Sequence, residues 1–192
     1  MVKSKTAPRF NQVRLQAGKY RGSILYLGEA AEHSQAVALR PTPARLRETV
    51  FNWLGQNLDG LTCLDLFAGS GIMGCESASR GASAVTLVEA NSTVAQQLRK
   101  NLARLQLHEC TVWQGRAEDF VMHCPSAYDL VLCDPPYALA SQFSGNSKLR
   151  QVVKSNGWLY FEAGHEINAI TGFTRVKYTQ VGQAHGHLFL AD

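Results

Sequence analysis

The 192-residue sequence lacks the features of a secreted, membrane-spanning or metal-stabilised protein. Its five cysteines include no C-x-x-C pair and leave an odd number, so we predict neither a disulfide framework nor a zinc site. No apolar run approaches the roughly 20 residues of a membrane-spanning helix. The polar start of the chain lacks the apolar core of a signal peptide. We therefore expect a cytoplasmic protein that binds neither a membrane nor a metal.

Acidic residues are scarce near the N-terminus. The first 54 residues carry nine Lys and Arg against three Asp and Glu, whereas the remainder carries ten against twelve. This asymmetry favours a polyanionic partner bound on the N-terminal side, although a solubilising tail would have the same composition. Residues 1–10 are predicted to be a flexible basic tail. The hydrophobic fraction of 45% is sufficient for one domain with a full core, and we expect a monomer.

Residues 11–57 are predicted to form a β-hairpin followed by a helix. Alternating apolar residues at 13–15 and 23–27 predict the two strands, and a loop is expected at 28–38. Thr42-Pro43 is typical of a helix start, with Thr as the N-cap and Pro at the first helical position. The residues at helical spacing that should form the buried face are Leu46, Val50, Trp53 and Leu54.

Residues 58–192 are predicted to form one α/β catalytic domain. Apolar strand runs alternate there with helical segments, which predicts crossover connections and a parallel, doubly wound sheet. The last two runs, 173–179 and 187–190, are separated by a segment too short for a crossover helix, so we expect an antiparallel hairpin. The five preceding strands are predicted at 62–67, 84–89, 110–113, 128–133 and 157–162.

A glycine-rich turn follows the first of these five strands. Gly69, Gly71 and Gly74 match G-x-G-x-x-G between a strand and a helix, the setting in which this pattern indicates an adenosine-containing cofactor. The pattern alone does not separate a dinucleotide from other such cofactors, and an ordinary tight turn can also produce it. Phe67 and Ala68 belong to the same turn and are expected to line the cofactor site.

Two acidic residues favour S-adenosylmethionine as that cofactor. Asp65 lies four positions before Gly69, where its carboxylate would repel a pyrophosphate but can hold the ammonium of a methionine moiety through water or backbone. Glu89 ends the second strand, where an acid accepts hydrogen bonds from ribose hydroxyls, and Ala90 follows it. A surface acid that precedes a helix is the alternative interpretation of Glu89.

The motif Asp134-Pro135-Pro136-Tyr137 follows the fourth strand and predicts methyl transfer to the exocyclic amine of a nucleobase. Proline has no amide hydrogen, so the Pro135 carbonyl and the Asp134 carboxylate can both accept hydrogens of an –NH₂ group. Holding these hydrogens out of the ring plane restores nucleophilic character to the nitrogen and aims it at the methyl donor. Tyr137 offers a flat face on which an extruded base can stack. A plain Pro-Pro loop end is the alternative.

Longer blocks of sequence resemble the RsmD family, bacterial methyltransferases that act on guanine N2 in 16S ribosomal RNA. Besides the two motifs above, these blocks are Q-A-G-K-Y-R-G at 16–22, L-R-P-T-P-A-R-L-R-E-T-V-F-N-W-L at 39–54 and V-G-Q at 181–183. The resemblance implies a Rossmann-like methyltransferase fold with a seven-stranded sheet. It also implies S-adenosylmethionine as donor and guanine 966, presented by the small ribosomal subunit or its assembly intermediate, as substrate.

One position departs from the family pattern. Family members tend to carry Asp or Asn where this chain has Arg116. The contact to the adenine amino group is therefore expected from Arg116, from Glu118 or from the backbone at Ala117.

Basic residues of the N-terminal part are candidates for binding the RNA backbone, because cationic side chains bind phosphates without reading sequence. By family analogy, the residues around the first helix also lie closest to the cofactor. Solvated arginines on an amphipathic helix are the alternative. The candidates for contact with RNA are Arg14, Lys19, Arg21, Arg40, Thr42 and Arg47.

Two other features have less direct interpretations. His185-Gly186-His187 has no carboxylate or further histidine at ligand spacing, so we assign it no metal. Glu162, at the end of the fifth strand, either supports the structure or lines the pocket.

Three rival functions each explain part of the sequence. A DNA adenine-N6 or cytosine-N4 methyltransferase shares D-P-P-Y, but usually needs a target-recognition region for which no segment here is long enough. A nicotinamide-dependent oxidoreductase would use the glycine turn and leave D-P-P-Y unexplained. A non-catalytic RNA-binding factor would need only the basic N-terminal part.

Overall fold

The computed structural model of the protein describes residues 12–27 and 42–192. The predicted tail at 1–10, the predicted loop at 28–38 and the candidate RNA contact Arg40 lie outside the described residues. Within the described ranges, no helix is long and apolar enough to cross a membrane.

The strands and helices follow one another largely as the sequence predicts. The N-terminal part contains β1 (Gln12–Arg14), β2 (Ile24–Tyr26) and α1 (Ala44–Trp53). The first half of the larger unit contains β3 (Thr62–Asp65), α2 (Ile72–Ser79), β4 (Ala84–Glu89), α3 (Ser92–Leu105), β5 (Cys110–Gln114) and α4 (Ala117–His123). The second half contains β6 (Tyr128–Cys133), α5 (Tyr137–Ser144), a 3₁₀ helix (Ser147–Val152), β7 (Val153–Ala163), β8 (Phe173–Val181) and β9 (Ala184–Ala191).

A seven-stranded sheet with the order β5-β4-β3-β6-β7-β9-β8 forms the centre of the molecule. The first five of these strands are parallel, and β9 runs antiparallel between β7 and β8. The predicted parallel sheet and C-terminal antiparallel hairpin are therefore confirmed. The strand order reverses at β3, which lies between β4 and β6. Ligands of doubly wound sheets bind at the carboxyl ends of the strands beside such a switch point.

Side-chain alternation along the strands builds one hydrophobic core on each face of the sheet. In β6, Leu130 and Leu132 belong to the core that is covered by α1, α2, α3 and the hairpin. Val131 and Cys133 belong to the opposite core, which is covered by α4 and α5. Because both faces are buried, the parallel strands appear in the sequence as continuous apolar runs.

The N-terminal hairpin, formed by β1 and β2, packs against the end of α2. The Lys19 amide donates a hydrogen bond to the Ser79 carbonyl (2.7 Å), and the Tyr20 amide donates to Ser79 Oγ (2.9 Å). Gly18 has φ +77°, and a Cβ there would lie 1.8 Å from the Ser79 carbonyl oxygen. This close approach requires glycine, so the 16–22 block docks the hairpin on the helix that follows the glycine turn.

The start and the buried face of α1 differ from the prediction. Pro43 occupies the N-cap position, and no side chain caps the helix. Leu46 and Val50 are buried as expected. The other two buried residues of α1 are Arg47 and Phe51, whereas Trp53 and Leu54 are half-buried. The helix is thus rotated because Arg47 reaches a buried carboxylate on α2, an interaction that hydrophobic periodicity does not report.

Strands β7 and β9 begin earlier than predicted. Asn156 and Gly186, which are residues typical of turns, lie inside these strands and not before them. In β7, Asn156 has φ +60°, and the strand continues through it with a register shift against β6. In β9, Gly186 is paired with β7, and a Cβ there would lie 3.0 Å from Leu46 Cδ1. The connecting turn is consequently only Gly182-Gln183.

Candidate active site

Four acidic residues lie at the carboxyl ends of neighbouring strands. Asp65 ends β3, Glu89 ends β4 and Asp134 directly follows β6. In β7, Phe161 pairs with Cys133 of β6. Glu162, the next residue, is therefore level with Asp134. This acidic edge of the sheet favours a cationic ligand over an anionic one.

The glycine turn between β3 and α2 leaves no room for side chains. Gly71 is the N-cap of α2 with φ +76°, and a Cβ there would lie 2.4 Å from Leu98 Cδ2. A Cβ at Gly74 would lie 2.8 Å from Leu87 Cδ2. Gly69 also has positive φ, at 49°. The three glycines therefore allow the backbone of the turn to pack closely on β4 and α3.

Asp65 stabilises the glycine turn through a buried hydrogen bond. Its Oδ2 accepts a hydrogen bond from the Gly74 amide at 2.9 Å, and the residue is only 3% exposed. Burial raises the pKa of Asp65 to about 7, and the nearby Asp134 adds to this, while the Gly74 and Phe67 amides act in the opposite direction. The carboxylate thus holds the turn directly, and any effect on a ligand passes through the backbone.

Glu89 joins the glycine turn to the start of α3. Its Oε2 accepts from the Gly69 amide at 3.0 Å, and its Oε1 accepts from the Asn91 amide at 2.7 Å. Each carboxylate oxygen can accept a second hydrogen bond, so the half-buried side chain retains capacity for ribose hydroxyls. Asn91, not Ser92, caps α3, with Oδ1 accepting from the Thr93 and Val94 amides.

Asp134 accepts a hydrogen bond from Thr42, a residue that lies outside the sheet. Thr42 Oγ1 donates to Asp134 Oδ2 at 3.4 Å. Burial raises the pKa of Asp134 to about 6, and the Thr42 hydrogen bond partly lowers it. The sequence assigned Thr42 to helix capping and to RNA. The structure corrects the capping assignment, because Pro43 holds that position and the Thr42 hydroxyl is turned toward Asp134.

The remainder of D-P-P-Y leads into α5. Pro135 is buried, and the Pro136 carbonyl accepts from the Leu139 amide at 2.7 Å. Tyr137 is 52% exposed, and its ring lies over Gly164, where a Cβ would be 3.0 Å from Tyr137 Cδ2. The Tyr137 hydroxyl donates to the Gln183 carbonyl at 3.5 Å. The 181–183 block thus supports the tyrosine of the motif.

Glu162 forms a buried pair with a tyrosine that the sequence did not indicate. The Tyr160 hydroxyl donates to Glu162 Oε2 at 2.9 Å, and the residues are 0% and 4% exposed. Burial raises the pKa of Glu162 to about 8, and the charge of Asp134 raises it further, against the Tyr160 hydrogen bond. Glu162 is therefore mostly protonated at neutral pH.

The candidates for the adenine contact lie after β5. The Arg116 side chain is 70% exposed, and its Nη2 lies 3.4 Å from Glu118 Oε1, so this pair lies at the surface. Ala117 is buried as the first residue of α4. The remaining residues assigned to the cofactor are Phe67, which is half-buried, Ala68, which is buried, and Ala90, which is exposed.

The basic candidates divide into exposed and buried groups. Arg14, Lys19 and Arg21 are exposed on the hairpin. Arg47, in contrast, is 4% exposed: its Nη1 donates to the Thr42 carbonyl at 2.7 Å and its Nη2 to the Arg14 carbonyl at 3.3 Å. The assignment of Arg47 to RNA is thus corrected, because its guanidinium is used inside the protein.

Glu76, which no motif indicated, is completely buried in α2. It forms ion pairs with Arg80 and with Arg47 Nε, the latter at 3.8 Å, and it accepts from the Gln16 amide at 2.8 Å. The sequence does indicate an unusual position, because Glu76 is the only charged residue in a helix that otherwise consists of small and apolar residues.

The histidine pair near the C-terminus is structural. His187 is buried, its Nε2 accepts from the Ile167 amide at 2.9 Å, and its Nδ1 lies 3.0 Å from the Phe161 carbonyl. His185 Nδ1 lies 2.9 Å from the Tyr178 hydroxyl. In the part of the chain that the structure describes, no group of three His, Cys, Asp or Glu could hold a metal ion.

The strand order, the glycine turn and the D-P-P-Y end of β6 together define a Rossmann-like methyltransferase fold. Comparison with solved structures agrees: yhhF from Escherichia coli has a TM-score of 0.81 and 31% identity, over 94% of this chain and 98% of that chain.

Sequence comparisons place the chain in a family. The family model described as "Conserved hypothetical protein 95" matches residues 13–190. "Ribosomal RNA small subunit methyltransferase D" of Escherichia coli strain K12 is 37% identical over 152 residues, which cover 79% of this chain and 72% of that protein. The protein of the same name from Haemophilus influenzae is 36% identical over 177 residues, 89% of each chain. The chain belongs to the RsmD family.

Proposed function

We propose that this protein transfers a methyl group from S-adenosylmethionine to N2 of a guanine, guanine 966, in the 16S RNA of the small ribosomal subunit. The observation that carries the chemistry is the position of Asp134-Pro135-Pro136-Tyr137 at the same sheet edge as Asp65 and Glu89. The choice of small-subunit RNA is supported by the names of the relatives from E. coli and H. influenzae.

The residues at the switch point fit S-adenosylmethionine. This cofactor carries a sulfonium and an ammonium, and it supplies an electrophilic methyl group when bound. The carboxyls of Asp65 and Asp134 have pKa values raised by burial, with no cation among the causes of either shift, so a cationic ligand would be stabilised beside them. A pyrophosphate would be repelled by the same groups, which argues against a nicotinamide cofactor.

Asp134 is the residue that we assign to the target amine. When ionised, its carboxylate and the Pro135 carbonyl would accept the two amine hydrogens, which frees the nitrogen lone pair from the aromatic ring. The Tyr137 ring is exposed above Gly164, where it can stack on a base that has been extruded from the RNA. Positioning and charge placement supply the catalysis. Once methylated, the nitrogen would release its surplus proton to the Asp134 carboxylate or to water.

RNA would approach over the hairpin and α3, two elements that carry basic residues and no acidic ones. Residues 12–27 and 92–105 carry six Lys and Arg and no Asp or Glu. Reciprocal hydrogen bonds join the two elements: the Tyr26 amide donates to Asn101 Oδ1 (3.1 Å), and Asn101 Nδ2 donates to the Tyr26 carbonyl (2.8 Å). Arg104 lies 4.9 Å from the ring centroid of Tyr26, which is 46% exposed. Cations beside exposed aromatic rings suit a phosphate backbone and unpaired bases.

The test is transfer of labelled methyl groups to small subunits from cells that lack the enzyme, followed by mapping of the modified base. We expect one methyl group per subunit, on guanine N2. Label on adenine or cytosine, or on DNA in place of subunits, would support the rival amino-methyltransferases. Thermal stabilisation by NAD but not by S-adenosylmethionine would support the oxidoreductase.

A further inference from the structure

Thr42 contacts the D-P-P-Y motif although it belongs to the N-terminal part of the chain. It is 5% exposed, and its hydroxyl donates to Asp134 Oδ2 at 3.4 Å across 92 residues of sequence. The residue lies just before Pro43, the N-cap of α1, so its position depends on how that helix is docked.

A buried ion pair docks that helix. Arg47, one turn into α1, donates to the Thr42 carbonyl at 2.7 Å, and its Nε lies 3.8 Å from Glu76 Oε1. Glu76 is 0% exposed on α2 and also accepts from the Gln16 amide at 2.8 Å. One carboxylate therefore anchors the hairpin and α1 to the helix that begins at the glycine turn.

We propose that Thr42 is a positioning residue for Asp134, and that the Arg47–Glu76 pair holds Thr42 against the carboxylate so that the N-terminal part completes the active site. The Thr42 hydroxyl donates to one oxygen of Asp134, which favours one orientation of the carboxylate toward the amine. The inference rests on the proposed function, because it assigns a hydrogen-bond donor to Asp134, the residue proposed to bind the target amine.

The surroundings of Asp134 give this hydrogen bond a measurable effect on pH dependence. The ionisable groups that interact with Asp134 are Asp65 on β3, Cys133 on β6, and Tyr160 and Glu162 on β7. Each of them is neutral when protonated and negative when ionised, so none of them stabilises the charged form of Asp134. Thr42 is the donor that stabilises the charged form, and its loss should raise the pKa of Asp134.

The experiment compares Thr42→Val, Thr42→Ser and Thr49→Val. Thr42→Val is nearly isosteric and removes the hydroxyl, whereas Thr42→Ser keeps it. Thr49→Val is the matched control on the same helix, because the Thr49 hydroxyl donates to the Arg45 carbonyl (3.0 Å) and not to the active site. Methyl transfer is measured from pH 5.5 to 9, together with the affinity for S-adenosylmethionine by calorimetry.

For Thr42→Val we expect the acid limb of kcat to move about one pH unit upward, as for loss of a hydrogen bond to a charged group, which lowers kcat at pH 6.5 about threefold. Thr42→Ser should restore both, and Thr49→Val should match the wild type. A normal acid limb in Thr42→Val would overturn the proposal, and so would a loss confined to cofactor affinity. An inactive wild-type protein would instead overturn the proposed function.

Arg47→Lys tests the anchor separately. Lysine retains a cation for Glu76, but it lacks the planar guanidinium that reaches both the Thr42 and Arg14 carbonyls. The acid limb should move in the same direction as in Thr42→Val. A folded Arg47→Lys protein with a wild-type pH profile would show that the anchor does not act through Thr42.

Discussion

The N-terminal part and the carboxyl edge of the sheet are opposite in charge. Residues 12–27 carry three cations and no acid, and the hairpin is docked by polar contacts to Ser79 and Glu76 as well as by apolar residues in the core. The sheet edge carries four acids on a hydrophobic framework. Under the proposed function this difference separates two tasks, because a polyanion would be attracted to one side and a cationic cofactor to the other.

The joint between these regions combines apolar packing with a buried ionic cluster. Glu76 is fully buried with Arg47 and Arg80, and Arg80 also lies 4.0 Å from the ring centroid of Phe51 on α1. Buried charges are costly to desolvate, so such a cluster contributes little net stability compared with apolar packing. It does define the orientation of α1, because each charge accepts only a partner of the opposite sign.

The largest expected effect lies on the sheet side of the comparison. Asp134→Ala should reduce methyl transfer about 100- to 1,000-fold, because the amine loses its charged acceptor. The affinity for S-adenosylmethionine, measured by calorimetry, should fall much less than turnover, since the main predicted role of Asp134 is at the amine. Asp192→Ala, at the exposed C-terminus, is the control and should retain activity. Unchanged turnover in Asp134→Ala would remove the basis of the mechanism.

The next effect concerns the joint. Glu76→Gln leaves Arg47 and Arg80 buried without a carboxylate, which should lower the free energy of unfolding by about 3 kcal/mol. The same change at Glu48, exposed on α1, should alter it by less than about 0.5 kcal/mol. Urea denaturation measures both, and equal values would show that the two regions are held together by apolar packing alone.

A smaller effect is expected on the N-terminal side. Lys19→Glu should raise the KM for RNA about fivefold and reduce the salt dependence of kcat/KM by about one unit of slope, with kcat nearly unchanged. Lys177→Glu is an equally exposed charge reversal on β8, away from the hairpin, and should leave both quantities at wild-type values. If the two variants behave alike, RNA does not approach over the hairpin.

The smallest effect is a pH dependence of stability in the cofactor-free protein. The pKa values of Asp65 and Glu162 are raised by burial to about 7 and about 8, so the folded state keeps protons that the unfolded state has already released. Stability should therefore fall as the pH rises from 6.5 to 8. Below 6.5 the buried His187, whose pKa is lowered, acts in the opposite sense.

Glu162→Gln should flatten this slope, because the amide does not titrate. The measurement is the melting temperature at constant ionic strength across the same pH range. A melting temperature that rises toward pH 8 in the wild-type protein would contradict the assignment of protonated acids to the sheet edge.

Local sequence alone determined most of the fold and the chemistry of the site. Continuous apolar runs predicted β4 and β6 at their observed bounds, because parallel strands that are buried on both faces are apolar throughout. The glycine turn and D-P-P-Y were recognisable because each requires residues that are adjacent in the chain. Errors arose where turn-like residues lie inside strands, as at Asn156 and Gly186.

Only the tertiary structure decided which distant side chains meet. Thr42 and Arg47 have the same local signature whether they face RNA or the protein interior, and their partners lie 92 and 29 positions away at Asp134 and Glu76. The pairing of Glu162 with Tyr160 and the raised pKa of both residues likewise depend on burial. Periodicity reports which face of an element is apolar, whereas the partner of a buried charge is recognisable only in the folded structure.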